Sequence, residues 1–170
     1  MSAQVFAVES MTPADIEAVR SLEKEAFSTT WQEEAFANEL AHNRTAIYLV
    51  LRAPDAKLAG YAGFWLVLDE AHVTSIAVHP DYRGRQLGKR LMHAMVSRAA
   101  QLGALWMTLE VRADNPAAQQ LYRRFGFARV GIRPKYYEGT VDAWIMWAGN
   151  LQSESYQQRL AGLSGARTKE

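Results

Sequence analysis

The sequence predicts an α/β domain built on a mixed sheet, and three observations carry that prediction. Short runs rich in apolar residues alternate with stretches whose apolar residues recur at helical spacing. Tight turns join strands near both ends of the pattern, which adds antiparallel hairpins to the crossover connections. The Gly-rich loop comes late and lacks Gly-x-Gly-x-x-Gly, and Gly88-Lys89 is followed by Arg90, so neither a dinucleotide fold nor a Walker loop fits.

Taken in order, residues 4–8 read as a short strand. Thr12-Pro13-Ala14-Asp15 then starts a helix, with Thr12 as N-cap and Pro13 at the first helical position; Ile16, Val19, Leu22 and Ala26 give its apolar stripe. A second helix covers 32–41, after the turn-like Ser28-Thr29-Thr30. Residues 45–51 form a strand and Ala53-Pro54-Asp55-Ala56 a turn. Two long strands, 57–68 and 70–78, meet at Asp69-Glu70 as a hairpin. Leu87, Leu91, Met95, Ala99 and Leu102 line one face of the next helix, which Gly103 ends. A strand over 105–111 and a helix over 116–125, stopped by Gly126, follow. Strands at 128–135 and 142–147 flank Tyr136-Tyr137-Glu138-Gly139. The pattern therefore gives about seven strands and four helices in one domain over residues 1–150. The polar, small-residue stretch 151–170 is expected to be a mobile C-terminal tail with some helix between Gln152 and Leu160.

Composition narrows the class of function. The chain has 170 residues, 49% hydrophobic and 22% charged, as a water-soluble globular domain does. Without cysteine there is no disulfide framework, thiolate zinc site or Cys nucleophile, and a reducing cytosol suits it. Met1-Ser2-Ala3-Gln4 leads into no apolar run, and no stretch approaches the roughly 18 apolar residues of a membrane span, so a cytoplasmic protein without a membrane partner is expected. The net charge of +1 is uneven. Residues 1–43 hold eight acids against Arg20 and Lys24, and residues 79–112 hold six Arg or Lys against Asp81 and Glu110. A local positive patch of that size argues for a small anion rather than a nucleic acid.

That patch coincides with the most chemically suggestive segment. Ser75-Ile76-Ala77-Val78-His79-Pro80 runs as a strand into Asp81-Tyr82-Arg83-Gly84-Arg85-Gln86-Leu87-Gly88-Lys89, which opens a helix. Backbone N–H groups between Gly84 and Lys89 would converge on an anion at the helix N-terminus, with Arg83, Arg85 and Lys89 adding charge. Two further segments follow, Leu109-Glu110-Val111-Arg112-Ala113-Asp114-Asn115-Pro116 and Leu121-Tyr122-Arg123-Arg124-Phe125-Gly126-Phe127.

With these segments the chain resembles the GCN5-related N-acetyltransferases over roughly residues 5–148. Their loop pattern is Arg/Gln-x-x-Gly-x-Gly/Ala, and the Asn and Tyr…Gly-Phe elements follow it. Leu109-Glu110-Val111-Arg112 with Lys135-Tyr136-Tyr137-Glu138 downstream is similar to the RimI-type branch, which acetylates the N-terminal alanine of ribosomal small-subunit protein eighteen. The resemblance implies acetyl-CoA as co-substrate, no metal, and a protein N-terminus as acceptor, transferred to directly in a ternary complex. It assigns Ile76, Ala77, Val78, Arg83, Gly84, Arg85, Gln86, Leu87, Gly88, Lys89 and Asn115 to coenzyme A, with the Val78 N–H polarising the thioester carbonyl.

The same resemblance makes Glu110 the general base and Tyr122 the general acid for the leaving thiolate. Locally, Glu110 reads equally as a strand-end carboxylate facing solvent or paired with Arg112; as a base, its Trp and Met surroundings would raise its pKa. Tyr122 is otherwise a core aromatic like Phe125, and Asn115 a helix N-cap. Trp31, Tyr136 and Tyr137 resemble the aromatic walls that seat a peptide, or else cover a sheet edge. His72 and His79 read as structural. Where the family has its first loop Gly, this chain has Gln86, which adopts positive φ less cheaply than Gly; in an ordinary right-handed conformation its N–H could still donate. A small-molecule or lysine acetyltransferase and a coenzyme-A-binding sensor without turnover are the alternatives, and retention of both Glu110 and Tyr122 favours an enzyme.

Overall fold

Strand runs with apolar residues inside and helices with one apolar stripe assemble here as seven strands and, among the described residues, five α-helices. The structure is a computed structural model and describes residues 5–26 and 33–164. In chain order the elements are β1 (Ala7–Ser10), α1 (Ile16–Ala26), α2 (Glu33–His42), β2 (Ala46–Arg52), β3 (Leu58–Val67), β4 (Glu70–Val78), α3 (Leu87–Gln101), β5 (Trp106–Arg112), α4 (Pro116–Arg124), β6 (Ala128–Tyr137), β7 (Val141–Ala148) and α5 (Glu154–Gly162). The sheet order is β1-β2-β3-β4-β5-β7-β6. It is mixed: β4 and β5 are parallel, whereas β1–β2, β2–β3, β5–β7 and β6–β7 are antiparallel.

The chain divides into two compact units, Met1–Trp65 with Thr74–Met95, and Leu66–Val73 with Val96–Glu170. In the first, Val19 and Leu22 of α1 pack with Tyr48, Val50, Tyr61 and Ala77 of the strands. The Thr12 N–H donates to the Asp15 carboxylate at 2.9 Å, and Pro13–Asp15 forms a 3-10 turn ahead of α1. Arg52 on β2 binds both Glu9 (2.6 Å) and Asp15 (2.7 Å), tying β1 and that turn to β2. Gly60 on β3 is where the backbone must come close: a Cβ there would lie 2.7 Å from the Ala77 carbonyl oxygen and 2.8 Å from Leu91 Cδ1. Any side chain at that position would push β4 or α3 aside.

In the second unit β5 lies between β4 and β7. Glu70, Ala71 and His72 stand opposite Trp106, Met107 and Thr108, and Glu110 stands opposite Ile145. Gln119, buried on α4, donates to the carbonyls of Arg112 (2.9 Å) and Ala113 (3.1 Å), which fixes the β5–α4 turn. Asn115 caps α4 as its sequence position suggests, its side chain accepting from the Ala118 N–H at 3.2 Å.

Two expectations are corrected. The segment read as a mobile tail carries α5, whose Tyr156 and Leu160 are buried together with Leu151 just before it. The Tyr156 hydroxyl donates to the Phe125 carbonyl at 2.7 Å, and Gln152 donates to the carbonyls of Ala100 and Ala104. Burying each such apolar side chain stabilises the unit by roughly 1.5–3 kcal/mol, enough to fix a helix that would be marginal alone. Residues 165–170 lie outside the described residues. Leu102, placed on the apolar stripe of α3, is instead 44% exposed, because the helix ends at Gln101 and Gly103 turns the chain with φ of 96°.

Candidate active site

The strand end and loop that suggested an anion site belong to the first unit. Ala77 is buried in its core, while Ile76 and Val78 are half-buried. His79 follows as the cap of the 3-10 turn Pro80–Tyr82: its Nδ1 accepts from the Asp81 N–H at 3.1 Å, and its Nε2 lies 2.7 Å from the Glu25 carboxylate. Its own N–H donates to the Ala59 carbonyl at 2.7 Å. His79 is therefore structural, as its place beside an apolar strand suggests. Arg83, Gly84, Arg85 and Gln86 are exposed, Leu87 is buried, and Gly88 and Lys89 begin α3 half-buried. The Arg85 guanidinium lies over the Tyr82 ring, 5.6 Å from its centroid. The amides of Leu87, Gly88 and Lys89 fall in the first turn of a 15-residue helix, where they have no intrahelical acceptor and carry the positive end of the dipole.

Gln86 does not take a right-handed conformation. Its φ is +58°, so the chain keeps the left-handed turn that the family builds with Gly and bears its strain with a non-Gly residue. Its carbonyl accepts the Arg90 N–H at 3.2 Å, which places Gln86 at the start of α3. Gln86→Gly is expected to add about 1 kcal/mol of stability, after the entropy cost of Gly, and to raise Tm by roughly 2–4 °C. Acetyl-CoA Kd should stay within a few-fold in a calorimetric titration. A lower Tm, or a large change in Kd, would show that the Gln86 side chain itself is used.

The remaining expected site residues lie in the second unit, except Trp31, which lies outside the described residues. Glu110 is not a solvent-facing strand end, nor does it pair with Arg112, whose guanidinium holds Asp114 (3.0 Å) and Glu138 (3.1 Å). Its carboxylate bonds His72 instead, with Nε2 to Oε2 at 2.8 Å. The register explains the contact: His72 is opposite Thr108 on the parallel strand, and Glu110 lies two residues further along β5 on the same face. On the other side Arg133 of β6 comes within 3.8 Å of Oε1. The Glu110 side chain is 14% exposed and that of His72 37% exposed.

These neighbours reverse the expected electrostatics. The His72 hydrogen bond, with the His72 and Arg133 charges, outweighs desolvation and lowers the Glu110 pKa from its ordinary 4.5, where an apolar setting alone would have raised it. In return the Glu110 hydrogen bond and the Glu110 and Glu70 charges raise the His72 pKa above 6.5. His72 is thus the partner of Glu110 that strand-by-strand reading misses. The only sequence signal for it is a His on the strand next to the one bearing the lone Glu.

Tyr122 is 7% exposed, its ring against Phe127 at 6.1 Å. Burial, with the nearby Tyr137, pushes its pKa well above the usual phenol value. Tyr136 and Tyr137 meet edge to face at 5.1 Å, and Arg133 and Arg112 lie over them. Burial, Tyr136 and the Glu110 charge push Tyr137 up to about 12. The second unit therefore gathers Glu110, His72, Arg133 and Tyr137 within electrostatic reach of one another. Among the described residues no group of three or more His, Cys, Asp or Glu is placed to hold a metal.

The strand–helix junction thus presents free amides at a helix N-terminus, and β5 carries an ionised carboxylate bonded to an imidazole. The chain belongs to the acetyltransferase (GNAT) family, whose sequence model matches residues 16–127, and is an acetyl-CoA-dependent N-acetyltransferase. It is 42% identical over 142 residues to a Bacillus subtilis protein named as a candidate [ribosomal protein bS18]-alanine N-acetyltransferase, covering 83% of this chain and 93% of that one. It is 36% identical over 143 residues to the [ribosomal protein bS18]-alanine N-acetyltransferase of Escherichia coli K12, covering 82% and 94%. The crystal structure of the E. coli ribosomal-protein-S18-alanine N-acetyltransferase superposes with a TM-score of 0.79 at 33% identity, covering 86% of this chain and 94% of that one.

Proposed function

We propose that the protein acetylates the N-terminal α-amine of a protein, with the N-terminal alanine of ribosomal protein bS18 as its foremost acceptor, by direct transfer in a ternary complex. The observation that carries this reading is the likeness, over 82–83% of this chain, to relatives named for that reaction. The state of Glu110 supports it. An α-amine of pKa near 7.7–8.0 loses its proton at neutral pH at little cost, whereas a lysine near 10.4 costs about 3–4 kcal/mol more. A single base whose pKa is lowered suits the first far better than the second.

In this reading the amides of the Gly84–Lys89 segment and the charges of Arg83, Arg85 and Lys89 hold the pyrophosphate of coenzyme A, and Ile76–Val78 pairs by its backbone with the pantetheine arm. Asn115 adds a contact while it caps α4. The Val78 N–H polarises the thioester carbonyl. Glu110 takes a proton from the amine as its nitrogen bonds the carbonyl carbon, and Tyr122 gives a proton to the sulfur as the C–S bond breaks. The products are the N-acetylated chain and free coenzyme A, so atoms and protons balance. Trp31, Tyr136 and Tyr137 seat the first residues of the acceptor. This reading places the protein in the cytoplasm with its ribosomal substrate, and no helix among the described residues is long and apolar enough to cross a membrane.

The test is acetyl-CoA turnover against short peptides that differ in their first residue, with an N-blocked peptide carrying a single lysine and a simple polyamine as controls. An alanine-led peptide with a free N-terminus should have a kcat/KM at least tenfold above every control. Faster turnover of the blocked lysine peptide or of the polyamine would overturn the assignment.

A further inference from the structure

We propose that His72 is the positioning residue of the reaction: its imidazole holds the Glu110 carboxylate towards the amine, and Glu110 works as a base only while His72 is neutral. The inference rests on the reading of Glu110 as the base and adds what gates it. Its ground is geometric. Parallel register sets His72 of β4 and Glu110 of β5 on one face of the sheet, and the ring nitrogen reaches Oε2 at 2.8 Å. One carboxylate oxygen is then engaged by the imidazole, which leaves Oε1, with Arg133 at 3.8 Å, as the edge that meets substrate. Glu110 is largely enclosed, so its direction is set by these partners rather than by water.

The gating follows from charge. A neutral His72 donates one hydrogen bond to the carboxylate and leaves it basic. Once protonated, the ring forms an ion pair with Glu110, and a carboxylate so paired is a much poorer proton acceptor. Among the described residues, Glu110 on β5 and Glu70 on its own strand favour protonation of the ring, and Arg133 on β6 opposes it. Tyr137 also faces Glu110 from β6 and, neutral in the working range, adds no charge. The balance favours the charged ring, so its titration is raised above 6.5. The acid limb of the reaction therefore belongs to the pair and to His72 in the first instance, well above the carboxylate range.

The experiment compares kcat against pH, at saturating alanine-led peptide and acetyl-CoA, for the wild type, His72→Gln, His72→Ala and Glu110→Gln. Acetyl-CoA titration of each variant checks that it is folded. His72→Gln keeps a donor to Oε2 but cannot titrate, so its kcat at neutral pH should stay within several-fold and its acid limb should move down by at least one pH unit. His72→Ala removes the positioning as well, and kcat should fall about tenfold or more with KM for peptide little changed. The amine titrates alike in every variant, so the shift isolates the imidazole. An acid limb that stays in place in His72→Gln, with Glu110→Gln inactive, overturns the role of His72 and leaves Glu110 standing. Full activity of Glu110→Gln overturns the base assignment itself.

Discussion

Glu110→Gln is expected to lower kcat by about 10²- to 10⁴-fold while acetyl-CoA affinity stays within a few-fold. The amide is nearly isosteric with the carboxylate, and its oxygen can still accept the hydrogen bond from His72 that the native side chain makes at 2.8 Å. What it loses is the capacity to take a proton. The weak attraction of Arg133 at 3.8 Å is lost too, but Arg133 is 54% exposed and such a pair contributes little. Structure and binding should therefore survive where chemistry does not. Steady-state kinetics with saturating peptide and calorimetric titration of acetyl-CoA separate the two. A variant with wild-type kcat would send the base assignment elsewhere, and an equal loss of affinity would mean that the substitution disturbed the fold.

Features set by neighbouring residues in sequence could be read from the chain, and those set by register or by torsion strain could not. The span of β4 matches Glu70–Val78, because β-branched and apolar residues fill it between Asp69 and Pro80. Gly103 and Gly126 stop α3 and α4 as expected, and both take positive φ, the conformation for which a helix end uses Gly. The His72–Glu110 bond spans 38 residues and depends on which residue of β4 faces Thr108, which no local pattern encodes. Reading Glu110 without its partner gave the wrong direction for its pKa, since desolvation was counted and the hydrogen bond was not. Gln86 is not legible for another reason. Propensity assigns Gln an ordinary backbone, but the turn into α3 imposes the conformation and the residue follows. The end of the chain hid the docking of its helix because Leu151, Tyr156 and Leu160 are too few to stand out among polar neighbours. Tyr156 meets the Phe125 carbonyl, and Gln152 the carbonyls of Ala100 and Ala104, only once the sheet is formed.

Tyr122→Phe is expected to lower kcat by about 10²-fold, with KM for peptide and Kd for acetyl-CoA within a few-fold and Tm changed by no more than a few degrees. The ring supplies packing against Phe127 that Phe retains, and among the described residues no group hydrogen-bonds the hydroxyl, so removing it leaves no partner unsatisfied. The protonation state sets how the hydroxyl can act. Burial disfavours the phenolate and raises the pKa, so the group carries its proton at every pH where the enzyme works. No alkaline limb from Tyr122 should appear in the kcat profile. The same burial makes release of the proton harder, so in the proposed role it passes to sulfur only as negative charge develops there when the C–S bond breaks. Acetylated peptide and released thiol, each measured directly, should decline together in Tyr122→Phe. Unchanged kcat would reduce Tyr122 to a core aromatic like Phe125, and a matching fall in Tm would assign the loss to packing rather than to the proton.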